Sequence, residues 1–564
     1  MSSLFVAGVS VFLLILGYVF YSKKVKQWIG LDDNEIPPSV AMNDGVDYVP
    51  ARHWTILFGH HFASIAGAAP IIGPVIACLY WGWLPALIWI VVGGIFFGAV
   101  HDFIALVMSL RNQGKSITTV TESVMGRTSK ILFSVFAFLS LILVVAVFAA
   151  VAGKTLATTP EVVVPTFGLV IVALIVGILI YRMHLPVLLC SVIGLLLLIG
   201  LIVAGYYVPV ELGVKNAAAW WTVILIVYGM IASVTPVTML LQPRDHLAGA
   251  VLYLGLLFGF LGLIVTHPNM KSPGLVSFSS PDQGWMWPMM LVSIACGAIS
   301  GFHSLVSSGT TSKQLPRTRD ARVIGYGSMI MESALAVLAV MAVSAGLFWK
   351  SAPAGMEGLV YQQLFKEGGW IKAFGEGYGQ LTKMFFGGLG TLIGITMLKT
   401  FIMTSLDTAT RISRYMCNEL LGETFGIRIM KNKYAAVILV GVLAGALALG
   451  NWRAIWPVFG ASNQLIASLV LIVASLYLLT RNRKFLFTAV PAVIMLITTI
   501  GALVYKTHSF LTAEKANILL ATISVILIIL AIFLSVTGLV SAVRTRQGNA
   551  DRRLDEKQRD GTAV

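Results

Sequence analysis

The chain has 564 residues, 57% of them hydrophobic and 11% charged, against roughly 45–50% apolar and about 25% charged in an ordinary soluble domain. So few charges exclude a water-soluble globule of this length, because long stretches carry none to face solvent. The net charge of +15 fits a basic membrane face better than a nucleic-acid surface, so the expected surroundings are a lipid bilayer and no nucleic acid.

A membrane-spanning helix needs about 20 apolar residues. Such stretches occur at 3–21, 54–80, 83–110, 131–152, 165–181, 186–206, 217–241, 247–266, 288–312, 324–348, 384–410, 434–450, 454–480, 485–505 and 516–540, which predicts fifteen spans. The first lacks a basic leader and is followed by Lys23, Lys24 and Lys26, so it reads as an uncleaved anchor with its N-terminus outside. With the next segment inside, the inner loops and tail hold 28 Lys and Arg, whereas the outer loops hold 10, Lys506 and Lys515 among them. That asymmetry predicts a cytoplasmic C-terminus. The tail from Arg544 is charged and aperiodic, so it is expected to lack regular structure, with lipid binding as a second reading. Cys78, Cys190, Cys296 and Cys417 are far apart and form neither a disulfide framework nor a CxxC knuckle.

Glycine and proline inside a span free backbone groups that lipid cannot satisfy, so they mark cavities. The second predicted span carries Gly67, Ala68, Pro70, Gly73 and Pro74, and the seventh carries Gly229, Ser233, Thr235 and Pro236. Ordinary proline kinks are one reading. The other is an inverted five-plus-five repeat with two discontinuous helices, five spans apart and opposite in direction. That register makes residues 1–22 an N-terminal helix, 23–53 a cytoplasmic connection, and 54–410 a ten-helix core with repeats 54–206 and 217–410. A connection at 411–433, four helices in 434–540 and the tail 541–564 follow. Half-helix N-termini suit a carboxylate, so Gly67, Ala68, Pro70, Gly73, Gly229, Ser233, Thr235 and Pro236 are the expected substrate-binding residues.

Ionisable groups inside the spans are His60, His61, His101, Asp102, His303, Glu332, Lys399 and Asp407. Each needs a partner or water, so a coupling or gating role is the default expectation. Their depths allow one convergent group below the substrate. Such a group would be a proton acceptor, a set of structural pairs closing a gate, or, at His60, His61, Asp102 and His303, a metal site. No HxxxH or HExxH spacing supports a catalytic metal. Lys399 would stand in for a bound cation or else snorkel. Ser307, Ser308, Thr310 and Thr311 offer hydroxyls that either satisfy helix carbonyls or line a sodium-like site. Pro243-Arg244-Asp245 reads as a loop-fixing or gating pair, and NDGVDYVP (43–50) as a turn without the ligand spacing of a calcium loop.

NDGVDYVP, LFGHHFASIAGAAPIIGPVIA (57–77), GAVHDF (98–103), PVTMLLQPRDHL (236–247), ACGAISGFHSLVSSGTTSKQL (295–315), GYGSMIMES (325–333), LDTATRISRY (406–415) and IWPVFGASNQL (455–465) together resemble the carbon starvation protein A (CstA) family. The resemblance runs from about 40 to 480. It implies an all-α, LeuT/APC-like carrier of the bacterial or archaeal inner membrane, importing peptides or, in some members, pyruvate with protons. The family blocks fall on Phe58–His61, Gly67–Pro70, Pro243–Asp245 and Ser300–His303, whereas His101 and Lys399 depart from the pattern.

The expected function is therefore a secondary active importer of a small carboxylate-bearing nutrient, pyruvate or short peptides. It needs no cofactor beyond a proton gradient and is not an enzyme. A sodium-coupled carrier and a nutrient-sensing receptor are the alternatives. With no Walker A motif, ATP-driven transport within this chain is not expected.

Overall fold

The computed structural model describes residues 1–450, 452–513 and 516–561; the side chains of 401, 452–457 and 548–561 are not included. Lys515 and the side chains of Ile455–Pro457 in the last family block lie outside the described residues.

Helices dominate, because lipid offers backbone groups no partner and only an internally bonded helix can cross it. In chain order they are α1 (Ser3–Ile29), α2 (Trp54–Ala66), α3 (Ala69–Tyr80), α4 (Trp83–Arg111), α5 (Ile117–Thr158) and α6 (Pro160–Arg182). Next come α7 (Val187–Tyr207), α8 (Ala217–Val234), α9 (Leu241–Thr266), α10 (the turn Met286–Met290 and its continuation Leu291–Ser293) and α11 (Gly301–Gly309). Then follow α12 (Thr318–Ala345), α13 (Tyr361–Phe386), α14 (Gly390–Cys417), α15 (Lys433–Ala448), α16 (Trp452–Thr480), α17 (Leu486–Thr512) and α18 (Ile518–Gly561). One two-residue antiparallel pairing, Ser279–Ser280 with Gly284–Trp285, departs from the expected all-α class.

Twelve helices of the described residues are long and apolar enough to cross a membrane, and thirteen if α2 and α3 count as one broken span. Two of the expected fifteen are not single span-length helices among the described residues. The stretch 288–312 is not one helix, since the chain unwinds between Ser293 and Gly301. The stretch 434–450 yields only the 16-residue α15, shorter than the ~20 residues a bilayer needs. The tail also differs from expectation, because α18 continues as helix to Gly561.

The two helix breaks position everything that follows. α2 stops at Ala66 because Gly67 adopts φ 20°, ψ −153°, which side-chain-bearing residues rarely reach. α3 restarts with Pro70 in its first turn, where a missing N–H costs nothing, and leaves at 40° to α2. The second break is the stretch between α10 and α11, not Gly229–Pro236. α8 runs unbroken to Val234, and Pro236 lies in the turn that leads to the separate α9. The two breaks therefore fall in the second and ninth predicted spans, which replaces the five-span register. They lie against each other: a Cβ on Gly73 would stand 2.3 Å from the Ser293 carbonyl oxygen and 2.9 Å from Ile294 Cα.

Candidate functional site

The polar interior forms two groups rather than the single one expected. In the first, α2 presents His60 to α9, which carries Arg244 and Asp245 near its N-terminal end. His60 Nδ1 is 2.6 Å from Asp245 Oδ2, while the Arg244 guanidinium donates to Asp245 Oδ1 at 2.6 and 3.0 Å. Arg244 also donates to Asp407 Oδ2 on α14 and, at 2.8 Å, to the Tyr228 hydroxyl, which itself donates to Asp407 at 2.8 Å. His60, Arg244, Asp245 and Asp407 are all buried. α2 and α9 come close enough for this because Gly59 and Gly249 meet, a Cβ on Gly249 falling 2.9 Å from Gly59 Cα.

In the second group, His101 and Asp102 on α4 face His303 on α11 and Glu332 on α12. Asp102 Oδ1 pairs with His101 Nδ1 at 2.8 Å and Oδ2 with His303 Nδ1 at 2.9 Å. His303 Nε2 is 3.5 Å from Glu332 Oε2. His61 bonds to neither carboxylate, its Nδ1 lying 2.8 Å from Thr311 Oγ1. The metal set drawn from His60, His61, Asp102 and His303 is thus divided, because adjacent residues on one helix point about 100° apart.

Lys399 is buried and donates to the Ala152 carbonyl at 3.1 Å, with no carboxylate within ion-pair distance among the described residues. It neither snorkels nor meets Asp407, whose partner is Arg244. The four hydroxyls of the sodium-like reading do not act together. Ser308 and Thr310 bond to the Ser304 and Val306 carbonyls of their own helix, Thr310 and Thr311 approach His60 and His61, and Ser307 Oγ has no hydrogen-bond partner.

Of the expected substrate residues, Gly67, Ala68, Pro70 and Gly73 lie at the first break, anchored to α14 by the Ser405 hydroxyl, which donates to the Ser64 carbonyl at 2.9 Å. Gly229, Ser233, Thr235 and Pro236 lie elsewhere. Gly229 faces Thr410, and the Thr235 carbonyl accepts from Arg411 at 2.6 Å. That end of the bundle is sealed by loop 43–53. Asp44 Oδ1 accepts three backbone N–H groups of its own turn at 2.8–2.9 Å, so it is spent on the turn and is not a calcium ligand. Val49 and Ala51 N–H bond to the Lys313 and Gln314 carbonyls, and Val237 N–H bonds to Val46. Asp47 accepts from Arg411, Arg414 and, at 2.6 Å, the Tyr415 hydroxyl. Burial opposes its ionisation, but Arg414, Arg411, Tyr415 and Lys313 prevail and hold the carboxyl below the usual range.

Between the breaks lies a cavity of about 250 Å³ lined by Ala69, Ala295, Cys296, Phe459, Asn463 and Lys506, among others. Ala69 places the N-terminus of α3 at its wall, and Lys506 is its cation. Asn463 Oδ1 accepts from Phe302 N–H at 2.7 Å and caps the start of α11. The sequence misses Lys506 because hydropathy ends the span at 505, whereas α17 continues to Thr512. Asn463 lay inside a family block that offered no chemistry of its own. A larger groove of about 740 Å³ between α1, α9 and α12 is lined by apolar side chains such as Leu14, Phe58 and Ile330, with no Lys or Arg to receive a carboxylate.

The sequence model of the carbon starvation protein CstA family matches residues 2–358 and 354–502. The pyruvate/proton symporter BtsT of Escherichia coli is 33% identical over 90% of this chain and 82% of its own length. The peptide transporter CstA of Campylobacter jejuni is 31% identical over 91% and 82%, and that of Bacillus subtilis 29% over 95% and 96%. A mutant form of the Eremococcus coleocola manganese transporter shares the fold, with a TM-score of 0.51 at 12% identity, over 89% of this chain and 99% of that one. With a match over most of its length and twelve span-length helices, the chain belongs to the carbon starvation protein A family of multi-pass membrane transporters and is not an enzyme.

Proposed function

We propose that this chain is a secondary active importer of a small carboxylate of pyruvate size, coupled to proton entry, which alternates access around the breaks in α2/α3 and α10/α11. The observation that carries this reading is the cavity between the breaks, whose wall includes both Ala69, the first residue of α3, and Lys506. Both favour an anion. At about 250 Å³ the cavity falls below the roughly 300–1,000 Å³ of pockets for drug-sized ligands, which favours a three-carbon acid over a peptide. Short peptides are the second reading, because several relatives are named peptide transporters.

The buried relay His60–Asp245–Arg244–Asp407 is the proposed proton site. A proton taken up at His60 would redistribute Arg244 between its two carboxylates. The basic end closed by loop 43–53 is proposed to face the cytoplasm of a bacterial plasma membrane, with the N-terminus outside. Purified protein in liposomes should accumulate labelled pyruvate when an inward proton gradient is imposed. Accumulation under a sodium gradient alone would move the coupling elsewhere, and no accumulation of pyruvate or dipeptide under either gradient would sink the reading.

A further inference from the structure

The His303 group contains an arrangement that proton coupling does not use. Cys296 Sγ, His303 Nε2 and a Glu332 carboxylate oxygen, from the second break, α11 and α12, lie within 4.8 Å of one another, and all three residues are buried. Asp102 sits behind the imidazole. Its Oδ2 is 2.9 Å from His303 Nδ1 and its other oxygen is engaged by His101. A carboxylate in that place takes the Nδ1 hydrogen and turns the Nε2 lone pair toward Glu332 and Cys296, which is how metal-binding histidines are oriented. His303 Nε2 and both Glu332 oxygens have no hydrogen-bond partner. Unpaired polar atoms grouped beside a cysteine thiol call for a ligand.

We propose that Cys296, His303 and Glu332 bind a divalent transition-metal ion of the zinc or iron(II) class, with Asp102 as the residue that positions His303. The donor set is one sulfur, one nitrogen and one oxygen, which suits borderline ions rather than magnesium or calcium. Tetrahedral zinc with bonds of about 2.0–2.3 Å separates its ligand atoms by roughly 3.3–3.8 Å, so the observed spacing needs a contraction of about 1.5 Å at most. The ion's +2 charge would meet the carboxylates of Asp102 and Glu332, whose ion-pair partners among the described residues are imidazoles. Because Cys296 lies in the second break and lines the cavity, the ion would tie that break to α11 and α12 and leave its fourth position beside the substrate space. The site is distinct from the His60 relay and does not depend on the transported solute.

The test is elemental analysis of tag-free, full-length protein purified without chelator, followed by Zn²⁺ titration against a chromophoric chelator. About one metal ion per chain is expected in the wild type and in the Cys190→Ser control. Cys296→Ser and Glu332→Gln should lose it, and Asp102→Asn should weaken Zn²⁺ binding about 10- to 100-fold. Co²⁺ loading should give a thiolate charge-transfer band that Cys296→Ser removes. Size-exclusion profiles separate loss of the site from loss of the fold, and the positioning variant Asp102→Asn serves if the ligand variants aggregate. Wild-type protein that neither retains nor binds zinc, iron, manganese or cobalt would leave His303 and Glu332 as a buried ion pair and overturn the proposal. So would Zn²⁺ affinity in Cys296→Ser and Glu332→Gln equal to that of the wild type. Pyruvate uptake by wild-type protein that is unable to bind any of these metals would overturn the metal site and leave the transport reading standing.

Discussion

His60 Nδ1 lies 2.6 Å from Asp245 Oδ2, and both side chains are fully buried. The contact joins the half-helix that ends at Gly67 to the N-terminal end of α9, and through Arg244 to Asp407 on α14. One guanidinium therefore holds two carboxylates from different helices. Its distribution between them depends on what His60 offers Asp245.

Removing one of those carboxylates should be costly. Asp407→Ala leaves Arg244 buried with a single anionic partner, and breaking such a pair costs about 3–5 kcal/mol. Thermal unfolding in detergent should show a clear fall in Tm, whereas an unchanged Tm would mean the network contributes nothing to stability.

His60→Gln tests the relay without emptying the cavity. Solute-for-solute exchange should persist while accumulation driven by a pH gradient disappears. If the variant still accumulates pyruvate against its gradient, the proton passes elsewhere.

Lys506 is proposed to hold the carboxylate. Lys506→Gln should cost about 2 kcal/mol or more of solute binding, roughly a 30-fold rise in KM, with Lys506→Arg retaining part of the affinity. Initial uptake rates over a range of pyruvate concentrations decide this, and equal KM values would place the carboxylate at another partner.

The contact between the breaks leaves no room for a methyl group. Gly73→Ala should destabilise by about 1–3 kcal/mol through overpacking, because its Cβ would meet the Ser293 carbonyl at 2.3 Å. Gly8→Ala, with nothing within 4 Å, should leave Tm unchanged and serves as the control.

Asp47 predicts a pH dependence at the sealed end. Its folded pKa lies below the ordinary carboxylate value, so its stabilising effect is fully present above the unfolded pKa of about 3.9. It fades as pH falls through the lower folded value. Asp47→Asn should lower Tm at pH 7 and flatten the part of the wild-type acid denaturation curve that lies below about pH 4. Parallel curves for the two proteins would show that Asp47 is not held by Arg411 and Arg414.

What the sequence determined by itself is what depends on neighbouring residues along the chain. Apolar runs select the bilayer because the cost of exposing them is local, and Gly67 with Pro70 breaks α2 from α3 through their own backbones. The family blocks were legible for the same reason, as short strings. The structure decided what depends on partners far away in sequence. The second break carries Gly297 but no proline, and Asn463 on α16 serves the N-terminus that it exposes. Pro236, the stronger local signal, marks only the connection after α8. His60 meets Asp245 across 185 residues, and His303 meets Asp102 across 201. Hydropathy separates charged from apolar positions, but a buried charge is placed by which helix face packs against which, so the division of one expected cluster into a relay and a Cys–His–Glu group could come only from the tertiary structure.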